Sequence, residues 1–137
     1  MTLEKIVAVI GKPGLYQIIS QAQNRLIVES LQDKKRLPVQ DMHKITALND
    51  IAIYTYTEEK PLREIFKDMA KKHDGKVAIN HKESDEKLTA YFLEILPDFD
   101  QDRVYASNIK KVVQWYNILA EINFDFSTIK IDSDEEE

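Results

Sequence analysis

The spacing of apolar residues changes once along this chain, near residue 60, and that change limits the fold more than any other feature. Before it, apolar residues come in short β-branched runs and alternations; after it they recur at three- and four-residue intervals. Pro61 sits just past the break. A chain patterned in this way is expected to be α+β, with a small sheet first and a helical unit second.

The strand expectations follow from turn chemistry. Ile6-Val7-Ala8-Val9-Ile10 reads as a strand stopped by Gly11-Lys12-Pro13-Gly14, where proline fixes φ and glycine permits positive φ. Leu15 to Gln21 and Arg25 to Leu31 read as a hairpin, with Asn24 suited to a left-handed turn position. Asp33-Lys34-Lys35 makes a second polar turn before Arg36-Leu37-Pro38-Val39, whose proline confines it to an edge or a strand end. The fifth strand is expected at Ile51 to Tyr56, after a one-turn helix over Ala47 to Asp50. Five short hairpin-linked strands with a helical turn before the last resemble the SH3-like small β-barrels, and the resemblance covers residues 1–57.

Residues 58–131 are expected to form a three-helix unit packed on the barrel. Leu62, Ile65, Phe66, Met69 and Ala70 make a helical stripe, opened by Pro61 and closed by Gly75. Lys76 to Lys82 reads either as a loop or as a brief extended stretch. Ser84 can cap a second helix that buries Leu88, Tyr91, Phe92, Ile95 and Leu96 and ends at Pro97. A third is expected after Ser107, with Ile109, Val112, Val113, Tyr116, Leu119 and Ala120 inward; an extended segment with Phe124, Phe126, Ile129 and Ile131 follows.

Charge is spread unevenly. Residues 1–57 hold seven Lys/Arg against five Asp/Glu, and 58–131 hold twelve against fourteen, so the body is neutral. Residues 132–137, Asp132-Ser133-Asp134-Glu135-Glu136-Glu137, form an acidic tail expected to be disordered, because it repels itself and has nothing apolar to bury. No run of eighteen apolar residues and no signal-peptide pattern occurs, so a cytosolic protein without membrane contact is expected.

The chemistry-bearing residues exclude more than they offer. With no cysteine, disulfides, thiolate nucleophiles and sulfur-ligated zinc are ruled out. Asp98, Asp100 and Asp102 begin like a calcium loop, but the sixth and twelfth positions are Arg103 and Ile109, where glycine and glutamate are needed. His43, His73 and His81 lack the spacing of a helical zinc pair, and the Gly11 to Gly14 turn is too short for a phosphate loop. No cofactor, metal or catalytic group is therefore expected, and the chain reads as a non-catalytic interaction module.

Two kinds of partner fit that reading. A protein or peptide is expected first, on a surface with Tyr16, Tyr54, Tyr56 and Trp115; Trp115 lies one step off the apolar stripe of its helix. RNA or DNA is the alternative. It would use Lys12, Arg25, Lys34, Lys35, Arg36 and Lys44 on the barrel, with Lys110, Lys111, Gln114 and Asn117 on the polar face of the last helix. The ten-residue connection before that helix is too long for an ordinary helix-turn-helix.

Three stretches carry a family resemblance: Gly11-Lys12-Pro13-Gly14-Leu15-Tyr16; Leu26-Ile27-Val28-Glu29-Ser30-Leu31 with Lys34-Lys35-Arg36; and Arg103-Val104-Tyr105 leading to Ile109-Lys110-Lys111 and Trp115-Tyr116-Asn117. Together they resemble an uncharacterised small-protein family of Bacteroidetes-type bacteria, over residues 3–122. The resemblance implies a bacterial cytosolic protein and assigns no functional residue.

Overall fold

In the computed structural model, residues 2–40 and 44–129 are described. His43 and the acidic tail lie outside them. Five antiparallel strands form one sheet: β1 (Ile6–Val9), β2 (Tyr16–Ala22), β3 (Arg25–Ser30), β4 (Arg36–Val39) and β5 (Ile45–Ala47), in the order β4-β3-β2-β1-β5. A two-stranded sheet, β6 (Ala52–Tyr54) with β7 (Glu59–Pro61), leads into helices α1 (Leu62–His73), α2 (Asp85–Ile95) and α3 (Ala106–Glu121). The fold is mixed α+β.

The turns fall where their residues allow. Gly11 and Gly14 take φ of 85° and 83°, and Asn24 takes φ of 64° in the two-residue turn between Ala22 and Arg25. A side chain at Gly14 would also strike Gln32, whose Oε1 lies 2.6 Å from the Cβ position. Lys34 accepts a left-handed φ of 64° without being glycine, in a turn where the Asp33 carboxylate receives the Lys35 N–H at 3.0 Å.

The expected closed barrel is not formed: β4 and β5 are the two ends of an open sheet. The fifth strand is Ile45–Ala47, which pairs with β1 through Val7↔Ala47 and Val9↔Ile45. Ile51 to Tyr56 instead joins β7, because Thr55 Oγ1 accepts the Glu58 N–H at 2.9 Å and closes a tight hairpin there. The 3₁₀ turn Leu48–Asp50 carries the chain out of the first sheet between these two strands.

Two apolar cores result. Ile6, Leu15, Leu31 and Leu48 pack with the inward faces of all three helices, and with Phe124, Phe126 and Ile129 of the closing segment, in one large cluster. Val7, Val9, Leu26, Val28 and Val39 form a second, small cluster on the opposite face of the sheet, with only strand residues packed against it among the described residues. Val28 is fully buried there. A bulge between Ile18 and Ser20 shifts the β2–β3 register, an irregularity that increases local strand twist. Because β1 is covered on both sides, its sequence is continuously apolar rather than alternating.

Helix ends follow from their caps, with one shift. Ser84 Oγ accepts the Lys87 N–H at 3.3 Å and opens α2, while α1 ends in left-handed Asp74 and Gly75. The cap of α3 is Tyr105 and not Ser107, since Asn108 reaches back to accept the Tyr105 N–H at 2.9 Å and starts the helix two residues early. Residues 76–82 form a loop, and the segment after α3 folds into a 3₁₀ turn at Phe126–Thr128 instead of running extended.

Candidate functional site

Along the outer face of α3, positions 108, 111 and 115 are three and four residues apart and share one side of the helix. Asn108, Lys111 and Trp115 accordingly line a groove that runs between α3 and the sheets. One section, about 450 Å³, lies against the β1 turn and takes in Ala8, Ile10, Lys12, Gln114 and Trp115. The other, about 250 Å³, lies against β6 and takes in Ala52, Tyr54, Arg103 and Val104. Ile51, Lys111 and Trp115 belong to both, so the two sections adjoin.

The groove has a distinct chemistry. Among the described residues, Lys12, Lys111 and Arg103 are its ionisable linings apart from tyrosine, and no described carboxylate lines either section. Its apolar surface includes Ile10, 66% exposed at the end of β1, and Tyr54, 42% exposed. The Arg103 guanidinium stands 5.1 Å above the Tyr54 ring, a cation–π arrangement, and also pairs with Asp100 at 3.5 Å. Half-buried Trp115 packs on the large core and presents the rest of its ring to the groove.

Of the residues singled out in the sequence, the fold brings Lys12, Tyr54, Lys111, Gln114 and Trp115 together. Lys44 lies at the same end, its carbonyl accepting the Ile10 N–H at 2.8 Å. Tyr56 is 60% exposed, beyond the groove, and its hydroxyl accepts the Gln101 N–H at 3.3 Å. Tyr16 packs on the small core, away from the groove. Lys110 is exposed but lines neither section.

Asn117 is not a free reader of bases. Its Oδ1 accepts the Ala78 N–H at 2.7 Å and its Nδ2 donates to the Ile79 carbonyl at 2.8 Å, so both halves of the amide pin the loop between α1 and α2. The register also divides the basic set. Lys12, Lys34, Lys35, Arg36 and Lys44 follow or precede strand ends that lie side by side, whereas Arg25 starts β3 at the opposite end, about 17 Å away for a strand of this length. Arg36 is paired with Glu29 at 3.2 Å.

The perturbed histidine and tyrosines lie elsewhere, where the helices pack together. His73 Nε2 and the Tyr91 hydroxyl share a hydrogen bond of 2.6 Å, with the rings stacked, and the Tyr116 hydroxyl donates to the Lys76 carbonyl at 2.7 Å. Burial lowers the His73 pKa, aided by Lys72 and opposed by Glu94. Burial also raises Tyr91, and pushes Tyr116 up to about 12. All three stabilise a packed helix junction through their hydrogen bonds. No group of three or more metal-ligating side chains occurs among the described residues, and no helix there is long and apolar enough to cross a membrane. The 98–102 segment is a turn in which Asp100 Oδ1 accepts the Asp102 N–H at 3.0 Å.

A groove on a helix-backed, open antiparallel sheet defines the class of molecule, and the relatives place it more closely. Residues 51–119 match the model of a domain of unknown function (DUF6852), and residues 3–48 match a second domain of unknown function (DUF5606). The chain belongs to the DUF6852 family, with the second domain in front. A solution structure of a protein from Bacteroides vulgatus is 47% identical and superposes with a TM-score of 0.74, over 90% of this chain and 89% of that one. It agrees with the Bacteroidetes resemblance carried by the three sequence stretches. No curated protein matches the chain.

Proposed function

We propose that this protein is a non-catalytic, cytosolic interaction module that binds a segment of a partner protein in the groove beside α3. The observation that carries the reading is the lining itself: exposed Ile10, Tyr54 and half-buried Trp115 alternate with Lys12, Lys111 and Arg103, with no carboxylate lining the groove among the described residues. Aromatic anchors flanked by cations are the make-up of contact surfaces that hold protein segments, and the perturbed groups that a catalytic site would need lie elsewhere. The SH3-like character of the N-terminal region is part of the same proposal. Four hairpin-linked strands with a fifth that returns beside β1, and a small apolar core on one face of their sheet, support it, and the open ends at β4 and β5 limit it.

The test is capture from native lysate by the full chain and by an Ile10→Asp, Lys111→Glu double variant, with and without nuclease. Both positions are exposed, so the variant is expected to fold, which circular dichroism checks. Proteins retained after nuclease by the parent chain and lost with the variant support the proposal. An identical protein set from both chains overturns it.

Nucleic acid is the second reading, and one observation favours it: Lys12, Lys34, Lys35 and Lys44 gather at one end of the sheet. Arg25 at the far end, Arg36 paired with Glu29 and Asn117 engaged internally shorten that footprint. Capture that disappears with nuclease, and retention on single-stranded DNA that weakens steeply with salt, would favour this reading.

A further inference from the structure

The backbone of β6 adds something that the side chains of the groove do not state. On its inner side, the Ile51 carbonyl accepts the Leu62 N–H at 2.8 Å and the Thr55 N–H donates to the Glu58 carbonyl at 2.7 Å, so the odd residues of this strand face β7. Strand geometry then turns the even residues the other way. There the Tyr54 carbonyl accepts the Asp100 N–H at 2.9 Å, and the Tyr56 N–H donates to the Asp98 carbonyl at 3.0 Å. Residues 98–100, at the start of the 98–102 turn, thus pair with this strand through one isolated antiparallel bridge, Thr55 with Phe99.

That pairing stops after a single bridge. Arg103 and Val104 both donate their N–H groups back to the Asp100 carbonyl, at 3.1 and 2.8 Å, and the chain swings away into α3. Where it would have continued lie the N–H and C=O of Ala52 and the N–H of Tyr54, with no backbone partner among the described residues, on the side from which Arg103 and Val104 line the groove. An open strand edge is a template for another chain, and proteins usually blunt it. The β4 edge is blunted by Pro38, whereas Ala52–Tyr54 carries neither proline nor lysine.

Resting on the reading of the groove as a partner site, we propose that the occupant is an extended, acidic peptide that adds as a strand to the Ala52–Tyr54 edge. Main-chain bonds to Ala52 and Tyr54 supply register, and alternate side chains of the peptide meet Trp115 and Tyr54 on one side. Charge complementarity selects its acidity: Arg103 and Lys111 line the section along this edge, Lys12 lines the adjoining one, and no carboxylate among the described residues lines either. The pairing begun by residues 98–100 is completed from outside.

The experiment uses the full chain and a fluorescent seven-residue peptide of alternating glutamate and valine. Two methylated forms are compared with it, one carrying N-methyl groups on the glutamate amides and the other on the valine amides. Strand addition uses only alternate amides, so one form should lose affinity by about tenfold or more and the other should bind within about twofold of the parent. Hydrogen exchange at the Ala52 amide should slow on binding. The lysine–valine counterpart should not bind, and Lys111→Glu should weaken the acidic probe where Lys111→Arg does not. Equal affinity of all three peptides would overturn strand addition and leave the groove reading standing. Failure of the acidic probe to bind, or its full displacement by a short oligothymidine at lower concentration, would overturn the proposal as well.

Discussion

The large and small cores of this protein are made by different rules. The large one joins residues from Leu3 to Ile129, so elements of both halves of the chain depend on it, and rings fill it: Phe66, Phe92, Phe99, Tyr116, Phe124 and Phe126 meet at centroid distances from 5.0 to 6.4 Å. The small one has five buried residues, four of them valine, all from strands of a single sheet. Among the described residues, only other strand residues pack against it. One region is therefore held by elements drawn from the whole chain, and the other by the strands of one sheet.

The sharpest break of that comparison is Phe66→Ala. Phe66 is fully buried against Tyr116, and removing its ring should cost about 3 to 5 kcal/mol of stability. Because Ile6, Leu15 and Leu31 share its cluster, sheet and helices should unfold together, seen as coincident urea transitions by Trp115 fluorescence and far-UV circular dichroism. Separate transitions would show that the sheet stands alone.

Asn117→Ala comes next. It leaves the Ala78 N–H and the Ile79 carbonyl without their partners and should cost about 2 kcal/mol. The same denaturant experiment measures it, and hydrogen exchange should quicken locally at Ala78. Val28→Ala, in the small core, should cost about 1 to 2 kcal/mol, since two methyl groups are removed from a fully buried site. If its cost equals that of Phe66→Ala, the small core is as determining as the large one and the contrast fails.

Much of this division was legible in the sequence, and what was missed has a common cause. Asn24, Gly11 and Gly14 announced their turns because left-handed φ is a local demand. Helix α1 appeared over Leu62–His73 as its stripe and ends required. Ile51 to Tyr56 was readable as extended, but composition says that a segment is a strand and not which strand it joins. Ile45–Ala47 is three residues long, too short for alternation to register, so the true fifth strand was hidden in a connection.

The groove shows the same limit. Trp115 stood out by lying off its helix stripe, and Lys12, Lys111 and Gln114 were visible as polar surface. Ile10 as the facing wall was not, because it depends on a contact between a turn near residue 12 and a helix near residue 111. Asn117 looked like a surface amide by helical position alone; only the loop folded over it reveals two internal bonds. Nothing in local pattern separates a solvated asparagine from one that brackets a backbone.

The smallest expected effect concerns pH, and it should arise in the large core. Half-buried His73 sits at the edge of that core, at the end of α1, with Tyr91 and Tyr116 stacked or tilted against it and Lys72 and Glu94 close by. Its folded pKa lies below the ordinary 6.5, burial being the main cause. As pH falls through 6.5 the unfolded chain takes up a proton that the folded one still refuses, so the unfolded state gains and stability declines until the lowered folded value is passed. Above 6.5 the contribution is complete. Thermal melts at pH 7.5 and 5.5 should therefore show a lower midpoint at the acid end. His73→Gln, whose amide oxygen can accept from the Tyr91 hydroxyl and does not titrate, should flatten this part of the profile, whereas Val28→Ala should leave its slope unchanged. A variant at Val28 that altered the slope as much as the one at His73 would mean that protonation is felt equally in both cores, and the two would then be one.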